Sequence, residues 1–452
     1  MLLHSLCSLL LVHISSLRLC EALKLTVFGG SGRVAWLLSS IGVQSSSLRS
    51  SSRKVTLHPT LGSHDAPRSM RIRCTMGHGG SFRTEVNVEP WPSHAHVGYD
   101  DSFFLIGSCF SEKIGQKLLQ NKLQASVNPS HGLIFSPLST AASLDRMVSG
   151  IFYNEEDPEI VFNNATGLWC SLEHHSTFSR TSRRDCVAEI NEALLRGRDR
   201  LLSATCIFIT LGSAWVFRHR ESRADVANCH KLPGYCFDRR IVTVDEIARH
   251  LHESISNLLL ANPKARVIIT VSPVRHWRDG AVDNARSKAH LLAGTHDVID
   301  SLGAAAAASA AAAARAGSTV GAPGHVSYFP AYELVNDDLR REESNRGLDY
   351  RFFEPDMIHP NSVAVDYVWD KLVGALFSDE AIDTMEQVDK VIQAIRHRPF
   401  NPLSEAHQHF LRQQLERLNQ IEREHPGMIL DKERAHFELN LKDPTVSTPT
   451  AH

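Results

Sequence analysis

The chain has 452 residues, 42% of them hydrophobic and 22% charged, which is enough to bury one sizeable core and to carry appendages. Its formal net charge of -2 argues against proteins that bind nucleic acid or an anionic membrane surface through an overall positive charge. The nine cysteines have no recurring close spacing, so the sequence excludes a zinc framework and an obvious disulfide scaffold.

Residues 1–85 are predicted to form a disordered leader. The first residues contain a short apolar run, interrupted by His13 and Ser15, which is typical of a secretory signal and too short to span a membrane. Between residues 23 and 84 Asp65 is the only acidic residue, while arginine and serine are frequent, as in organellar transit peptides. We therefore expect entry into the secretory pathway and delivery to a plastid or to the extracellular space. Plain secretion and a leader without a targeting role are the alternatives.

A glycine-rich turn within this leader resembles a dinucleotide-binding loop. Gly29, Gly30 and Gly32 follow an apolar, strand-like start. The full G-x-G-x-x-G spacing is missing, and no βαβ unit with an acidic partner about twenty residues further on is visible. We therefore expect no cofactor at this turn.

The first predicted unit of the fold lies at residues 101–120. Four apolar residues run into Gly107 and Ser108, and a helical pattern follows, which predicts a buried strand that turns sharply into a helix. Ser108 then lies at the carboxyl edge of a sheet, where the N–H groups of a helix N-terminus can stabilise an oxyanion. Ser108 is therefore a candidate nucleophile, and a serine that merely caps the helix is the alternative. Cys109 is a weaker candidate, because its side chain is expected to point away from that of Ser108.

Apolar segments further along the chain predict additional strands. The runs at 206–215 and 266–273 are continuous, which is typical of central parallel strands covered on both faces. Shorter segments at 124–128 and 326–335 supply two more strands. Because these strands alternate with helical patterns, we expect an α/β fold, a three-layer α/β/α sandwich with a parallel sheet of about five strands.

The predicted domain organisation has two folded parts. Residues 86–377 are expected to form a catalytic domain, in which the alanine-rich tract at 303–317 is a surface insertion without a catalytic role. Residues 378–452 contain charged amphipathic helical patterns separated by a proline-containing break. This C-terminal helical tail is predicted to pack on the core or to contact a partner chain.

A second candidate site motif lies in the loop that contains Asp356 and His359, three residues apart. Pro360 follows at what is predicted to be the start of a closing helix. A serine nucleophile needs a histidine within hydrogen-bond reach and a carboxylate that holds the imidazole in one tautomer. One Asp-x-x-His loop can supply both groups. The alternative is an aspartate and a histidine that only occupy an exposed loop.

Six motifs follow one another between residues 90 and 377: GSCFSEKIG, NPSHGLIFSPLS, LGSAWVF, NCHKLP, SPVRHWRDG and DMIHPN. In this order they resemble the motifs of the GSCFA family, which is similar to the SGNH (GDSL-like) esterases and acyl hydrolases. The resemblance covers roughly residues 90–377 and implies a fold of the SGNH or flavodoxin-like kind. It also implies that Ser108 is the nucleophile, His359 the general base and Asp356 the orienting carboxylate, without a cofactor.

The same resemblance indicates where an oxyanion would be stabilised. Gly132 resembles the glycine that donates an N–H after the second strand, and a glycine needed only for positive φ is the alternative. SGNH enzymes place a Gly-x-Asn block after the next strand, whereas this chain reads Gly212, Ser213 and Ala214. Losing one such donor raises a reaction barrier by about 3 kcal/mol. The candidates to replace the absent asparagine are Ser213, Asn228 and His230.

Two further observations concern ligands. Arg275 follows the strand predicted at 266–273 and can clamp a substrate carboxylate or phosphate, and an ion pair that orders the loop is the alternative. The neighbours His174 and His175 would point in opposite directions on a strand, so we expect no metal site there.

The expected function is that of an SGNH-type serine hydrolase, an esterase acting on a small-molecule or carbohydrate O-acyl ester through an acyl-serine intermediate. An O-acyltransferase would use the same site and differ in the acceptor of the acyl group. A non-catalytic carbohydrate- or partner-binding protein on the same fold is the third hypothesis, supported by the absent asparagine. Partners of the nucleic-acid class and stable membrane insertion are not expected.

Overall fold

The computed structural model describes residues 85–315, 325–340 and 350–441. The predicted signal and transit segments therefore lie outside the described residues. No helix within the described ranges is both long and apolar enough to cross a membrane.

Within these ranges the strands form one central sheet and two small antiparallel units. The central sheet is parallel and has five strands, which confirms the predicted α/β fold. In chain order the strands are β1 (Ser102–Gly107), β2 (Gln124–Val127), β3 (Ile160–Asn163), β4 (Leu168–Ser171), β5 (Cys206–Leu211), β6 (Trp215–His219), β7 (Asp225–Val226), β8 (Phe237–Ile241), β9 (Arg266–Val271) and β10 (Val326–Tyr328).

The central sheet has the strand order β10, β9, β5, β1, β2. Every residue of β5 is buried, as are all residues of β9 except the first, because helices cover both faces of the sheet. The helices are α1 (Cys109–Gln120), α2 (Pro137–Ser149), α3 (Arg183–Ser203), α4 (Val244–Ala261), α5 (Gly280–Arg315), α6 (Ala331–Glu333, continued by a π-helical turn at Leu334–Leu339), α7 (Ser362–Leu376), α8 (Asp379–Arg396), α9 (Glu405–Glu424) and α10 (Asp431–Asn440).

Strand β1 illustrates how the two cores form. Successive side chains of a strand point to opposite faces of the sheet. Phe104 and Ile106 join the core with helices α2 to α5, while Phe103 and Leu105 join the core with α1, α6 and α7. The structure is therefore a three-layer α/β/α sandwich, as the sequence predicted.

Two small β units lie between the main elements, and the sequence analysis did not predict them. Strands β3 and β4 form a hairpin, and β6 pairs with both β7 and β8 in an antiparallel sheet. Their strands are two to five residues long and lack the long apolar runs of the central sheet.

Helix α5 extends into the alanine-rich tract, which the sequence analysis predicted to be a surface insertion. The helix begins at Gly280 and continues through most of this tract to Arg315. Alanine has the highest helix propensity of all residues, so the tract extends the helix that precedes it.

The C-terminal helices α8, α9 and α10 share a small core of their own. Val388, Leu418 and Phe437 are buried in it. Lys122, two residues after α1, forms an ion pair of 2.6 Å with Glu433, which attaches this layer to the sandwich. The predicted C-terminal helical tail is thus confirmed, and α10 is a helix that the sequence analysis did not predict.

Candidate active site

Ser108 lies at the turn between β1 and α1, at the carboxyl edge of the central sheet. Its Oγ accepts a hydrogen bond of 3.4 Å from the N–H of Phe110, so it caps helix α1. Its own N–H donates to the carbonyl of Thr210, at 3.1 Å. The residue is 1% exposed. The hydroxyl therefore lies at the end of a parallel strand, as the nucleophile hypothesis requires. It also caps helix α1, as the alternative of a purely structural serine requires.

Asp356 and His359 form a direct pair. The Oδ2 atom of Asp356 lies 2.7 Å from Nδ1 of His359. The N–H groups of Ile358 and His359 donate to Oδ1 of Asp356, at 2.9 and 3.0 Å. The hydrogen bond from His359 is the main cause that lowers the pKa of Asp356 to about 2. The carboxylate thus holds Nδ1, which leaves Nε2 of the imidazole for proton exchange.

Arg275 attaches this loop to the end of strand β9. Its backbone N–H donates to the carbonyl of Ile358, at 3.1 Å, and its Nη1 donates to the carbonyl of Met357, at 3.0 Å. The guanidinium lies 4.0 Å from the ring centroid of Trp277 and also faces the rings of Tyr350 and Phe353. Arg275 therefore orders the loop through carbonyl groups and aromatic rings.

Ser108, Asp356 and His359 lie at one edge of the sheet, but among the described residues no hydrogen bond joins Ser108 to His359. His276, which follows β9, is close enough to His359 for the charge of His359 to act on His276. Burial, with the charges of Lys288 and His359, lowers the pKa of His276 to about 3, so this imidazole is neutral.

Lys288 is a buried side chain of this edge that the sequence analysis missed. It is 2% exposed, and its Nζ donates to the carbonyls of Gly212 and Ser272, both at 2.7 Å. These two carbonyls follow strands β5 and β9, so the ammonium joins their ends. Burial lowers the pKa of Lys288 to about 7. A lysine within a helical pattern looks solvated in a sequence, and no local signal marks this one as buried.

The amides of Gly212 and Ser213 are already engaged. Both N–H groups donate to the carbonyl of Phe135, at 2.8 and 2.9 Å. The hydroxyl of Ser213 accepts from the N–H of Trp215, at 3.1 Å. This arrangement ties the loop before α2 to the end of β5, and it leaves neither amide free for an oxyanion.

Gly132 has a positive φ, as expected if glycine is needed at this position for its backbone conformation. Its φ is +73°, and a Cβ atom at this position would lie 2.6 Å from Cβ of His175. A side chain would therefore meet both backbone strain and a steric clash. The close approach of His175 is a sufficient reason for glycine here.

Asn228 and His230 are placed beside the β3–β4 hairpin. Oδ1 of Asn228 accepts from the N–H of His230 at 2.9 Å, and Nε2 of His230 lies 2.6 Å from the carbonyl oxygen of Ser171. The carbonyl of His230 accepts from Nδ2 of Asn163. Burial lowers the pKa of His230, which favours the neutral form of its imidazole. Both residues are thus engaged in holding the hairpin.

Histidines near Gly132 form a buried stack. The rings of His131 and His174 are parallel, with centroids 4.3 Å apart, and His131 contacts the hydroxyls of Tyr153 and Ser143. Burial lowers the pKa of His131 to about 3. No group of three or more histidine, cysteine, aspartate or glutamate side chains in the described ranges is placed to hold a metal ion.

Asn128 is the second residue of this edge that the sequence analysis missed. It follows β2 directly, has a φ of 45°, and its Oδ1 accepts from the N–H of Gly107 at 2.9 Å. Its Nδ2 is buried and has no hydrogen-bond partner among the described residues. An unsatisfied buried donor of this kind costs about 1–3 kcal/mol, so its presence calls for an explanation.

Two family models match the chain. The model of the GSCFA family matches residues 102–372, which includes β1, the Ser108 turn and the Asp356–His359 loop. The model described as GSCFA domain protein, C-terminal domain, matches residues 388–443, which includes α9 and α10. No curated protein matches the chain.

Proposed function

The chain belongs to the GSCFA family, and we propose that it is an SGNH-type serine esterase or acyl hydrolase. Its substrate would be a small-molecule or carbohydrate O-acyl ester. The observation that carries the proposal is the 2.7 Å contact between Asp356 and His359, held to the sheet edge at which Ser108 lies. A carboxylate on Nδ1 fixes the tautomer in which Nε2 accepts a proton.

The proposed reaction has two steps. First, Oγ of Ser108 attacks the acyl carbonyl carbon while its proton moves to Nε2 of His359, which then protonates the leaving alcohol. The product is an ester between the acyl group and Ser108. Second, water attacks this ester and gives its proton to the same imidazole, which releases the acid and restores the serine. The Ser108 hydroxyl must leave its capping bond to Phe110 before the first step.

An O-acyltransferase is the second candidate, and the burial of Ser108 favours it. The residue is 1% exposed, so bulk water has little access to an acyl-serine at this position. An acceptor hydroxyl that enters with its own binding energy would then compete well with water. In this version the acceptor alcohol takes the place of water in the second step.

A non-catalytic binding protein is the third candidate. Its support is that the Ser108 hydroxyl caps α1 and that the amides of Gly212 and Ser213 are bonded to Phe135. In this hypothesis the turn at Ser108 and the residues Gly212 and Ser213 only stabilise the fold. The carboxyl edge of the sheet then binds a carbohydrate or a protein partner without a covalent step.

A fluorophosphonate probe followed by peptide mass mapping tests these candidates. We expect the label on Ser108, its loss in Ser108→Ala, and a rate lower by roughly 10³-fold or more in His359→Ala. Ser111→Ala is the matched control, because Ser111 is a buried serine in helix α1, three residues after Ser108. A folded wild-type protein that takes up no label would contradict the enzyme and favour the binding protein.

The acyl acceptor and the acyl chain are tested separately. A series of p-nitrophenyl esters of increasing chain length reports the acyl preference of a hydrolase. The addition of a mono- or oligosaccharide to the same assay reports transfer, because the acetylated sugar is then a product that mass spectrometry identifies. Hydrolysis without transfer at any sugar concentration would exclude the O-acyltransferase for these acceptors.

A further inference from the structure

A serine hydrolase needs hydrogen-bond donors for the oxyanion, and three backbone donors near the site are engaged. The N–H groups of Gly212 and Ser213 donate to Phe135. The N–H of Ser108 donates to Thr210, and an alanine occupies the position of the expected asparagine. These three amides therefore do not replace the side-chain donor of the absent asparagine.

Asn128 has the chemistry and the position of such a donor. It is the residue directly after β2, the strand that pairs with β1. The carboxamide is bonded to the N–H of Gly107, the residue that precedes Ser108. Because an N–H donor needs an oxygen acceptor, this bond assigns Oδ1 to Gly107 and leaves both N–H bonds of Nδ2 unused.

The environment of Asn128 fixes this amide before any ligand binds. Its backbone N–H donates to the carbonyl of Leu105, at 2.8 Å. Its φ of 45° lies in the left-handed region, which asparagine tolerates better than most residues. Its Nδ2 is out of contact with solvent and has no acceptor among the described residues. A donor held in place and kept from water is what electrostatic stabilisation of an oxyanion requires.

We propose that the side-chain amide of Asn128 is an oxyanion donor of the Ser108 site, in place of the absent asparagine of the Gly-x-Asn block. The inference rests on the proposed function of Ser108. As the acyl carbonyl carbon becomes tetrahedral, its oxygen gains negative charge and accepts a hydrogen bond from Nδ2. Asn128 is in this sense a catalytic residue, because it contacts the reacting atoms.

The competing explanation is structural, since Oδ1 of Asn128 holds the turn at Gly107. The two roles use different atoms of one side chain, so two substitutions separate them. Asn128→Asp keeps an oxygen for the Gly107 N–H and removes the Nδ2 donors. Asn128→Gly removes both, and glycine suits the positive φ, so the backbone is not strained.

The experiment measures the rate of fluorophosphonate labelling at Ser108, since the phosphonyl oxygen occupies the oxyanion position, together with the melting temperature of each variant. We expect labelling to fall about 100-fold in both variants, at least as far in Asn128→Asp as in Asn128→Gly. Asn121→Asp, at the other end of α1, is the control and should label like wild type.

The outcomes separate this inference from the proposed function. If wild type labels at Ser108 and Asn128→Asp labels equally fast while only Asn128→Gly is impaired, the role is structural and the inference is overturned alone. If folded wild-type protein does not label at Ser108, the proposed function fails and the inference fails with it. A slow Asn128→Asp variant with a wild-type melting temperature supports the donor role.

Discussion

Gly107 and Thr210 face each other across strands β1 and β5 so closely that a Cβ atom on Gly107 would lie 2.2 Å from the carbonyl oxygen of Thr210. The φ of Gly107 is +139°, which other residues rarely adopt. We therefore expect Gly107→Ala to lower the free energy of unfolding by about 3 kcal/mol or more, through backbone strain and overpacking. Urea denaturation measures this loss. Gly374→Ala is the control, because a Cβ there meets no atom within 4 Å and should not destabilise helix α7.

The second prediction concerns Asp356. Asp356→Asn keeps the size of the side chain but removes the negative charge that stabilises the imidazolium of His359. We expect labelling at Ser108 to slow by roughly 10³-fold or more. Because the pKa of Asp356 is lowered to about 2, its carboxylate is charged near neutral pH. A rate like that of wild type in Asp356→Asn would contradict the role of this residue.

The third prediction concerns Arg275. Lysine retains the positive charge, but it cannot lie flat on Trp277 while it donates to the carbonyl of Met357. We expect Arg275→Lys to reduce the stability by about 1–2 kcal/mol and the labelling rate at Ser108 about tenfold, because the loop with His359 loses its attachment. Arg278→Lys is the control at a neighbouring exposed position. Unchanged labelling in Arg275→Lys would show that the loop is held by other contacts.

The fourth prediction concerns the pH dependence of stability. The pKa of Lys288 is 10.5 in an unfolded chain and about 7 in the folded protein. Between these values the unfolded chain binds one more proton than the native chain, so this lysine makes the free energy of unfolding rise with pH, by about 1.4 kcal/mol per pH unit. Below the folded pKa the lysine is charged in both states and adds no slope.

Lys288→Met tests this dependence, because methionine does not titrate. We expect the variant to be less stable than wild type at every pH, since the carbonyls of Gly212 and Ser272 lose their donor. The difference should grow as the pH rises from 7 toward 10.5. Urea denaturation at several pH values measures both slopes, and the exposed Lys113→Met is the control. Parallel slopes for wild type and Lys288→Met would contradict a depressed pKa.

The sequence predicted the elements whose signals are local. Strands β5 and β9 are continuous apolar runs, and Ser108 follows such a run directly, so its place at the carboxyl edge could be predicted. Asp356 and His359 are three residues apart, and so short a spacing can be recognised in the sequence without knowledge of the fold. The small strands β3, β4 and β6 to β8 are short and partly polar. Neither an alternation of apolar and polar residues nor an apolar composition therefore indicated them in the sequence.

The sequence could not predict the contacts that join distant segments. Arg275 is surrounded by rings of Trp277, Tyr350 and Phe353, and this set exists only after the chain has folded. Lys288 and Asn128 depend in the same way on strand ends that are far apart along the chain. The amides of Gly212 and Ser213 are bonded to Phe135, in the loop before α2, and the residue pattern around Gly212 does not reveal this contact.

The attachment of the C-terminal layer has a consequence for how the protein behaves in concentrated solution. Strand β2 is an outer strand of the central sheet, and Gly427, in the segment between α9 and α10, lies against the side chain of Gln124 at its start. An uncovered outer strand offers unpaired backbone groups to a second chain. The helical layer therefore hinders intermolecular strand addition beside the start of β2, and a protein cut after Phe377 would be more prone to aggregate.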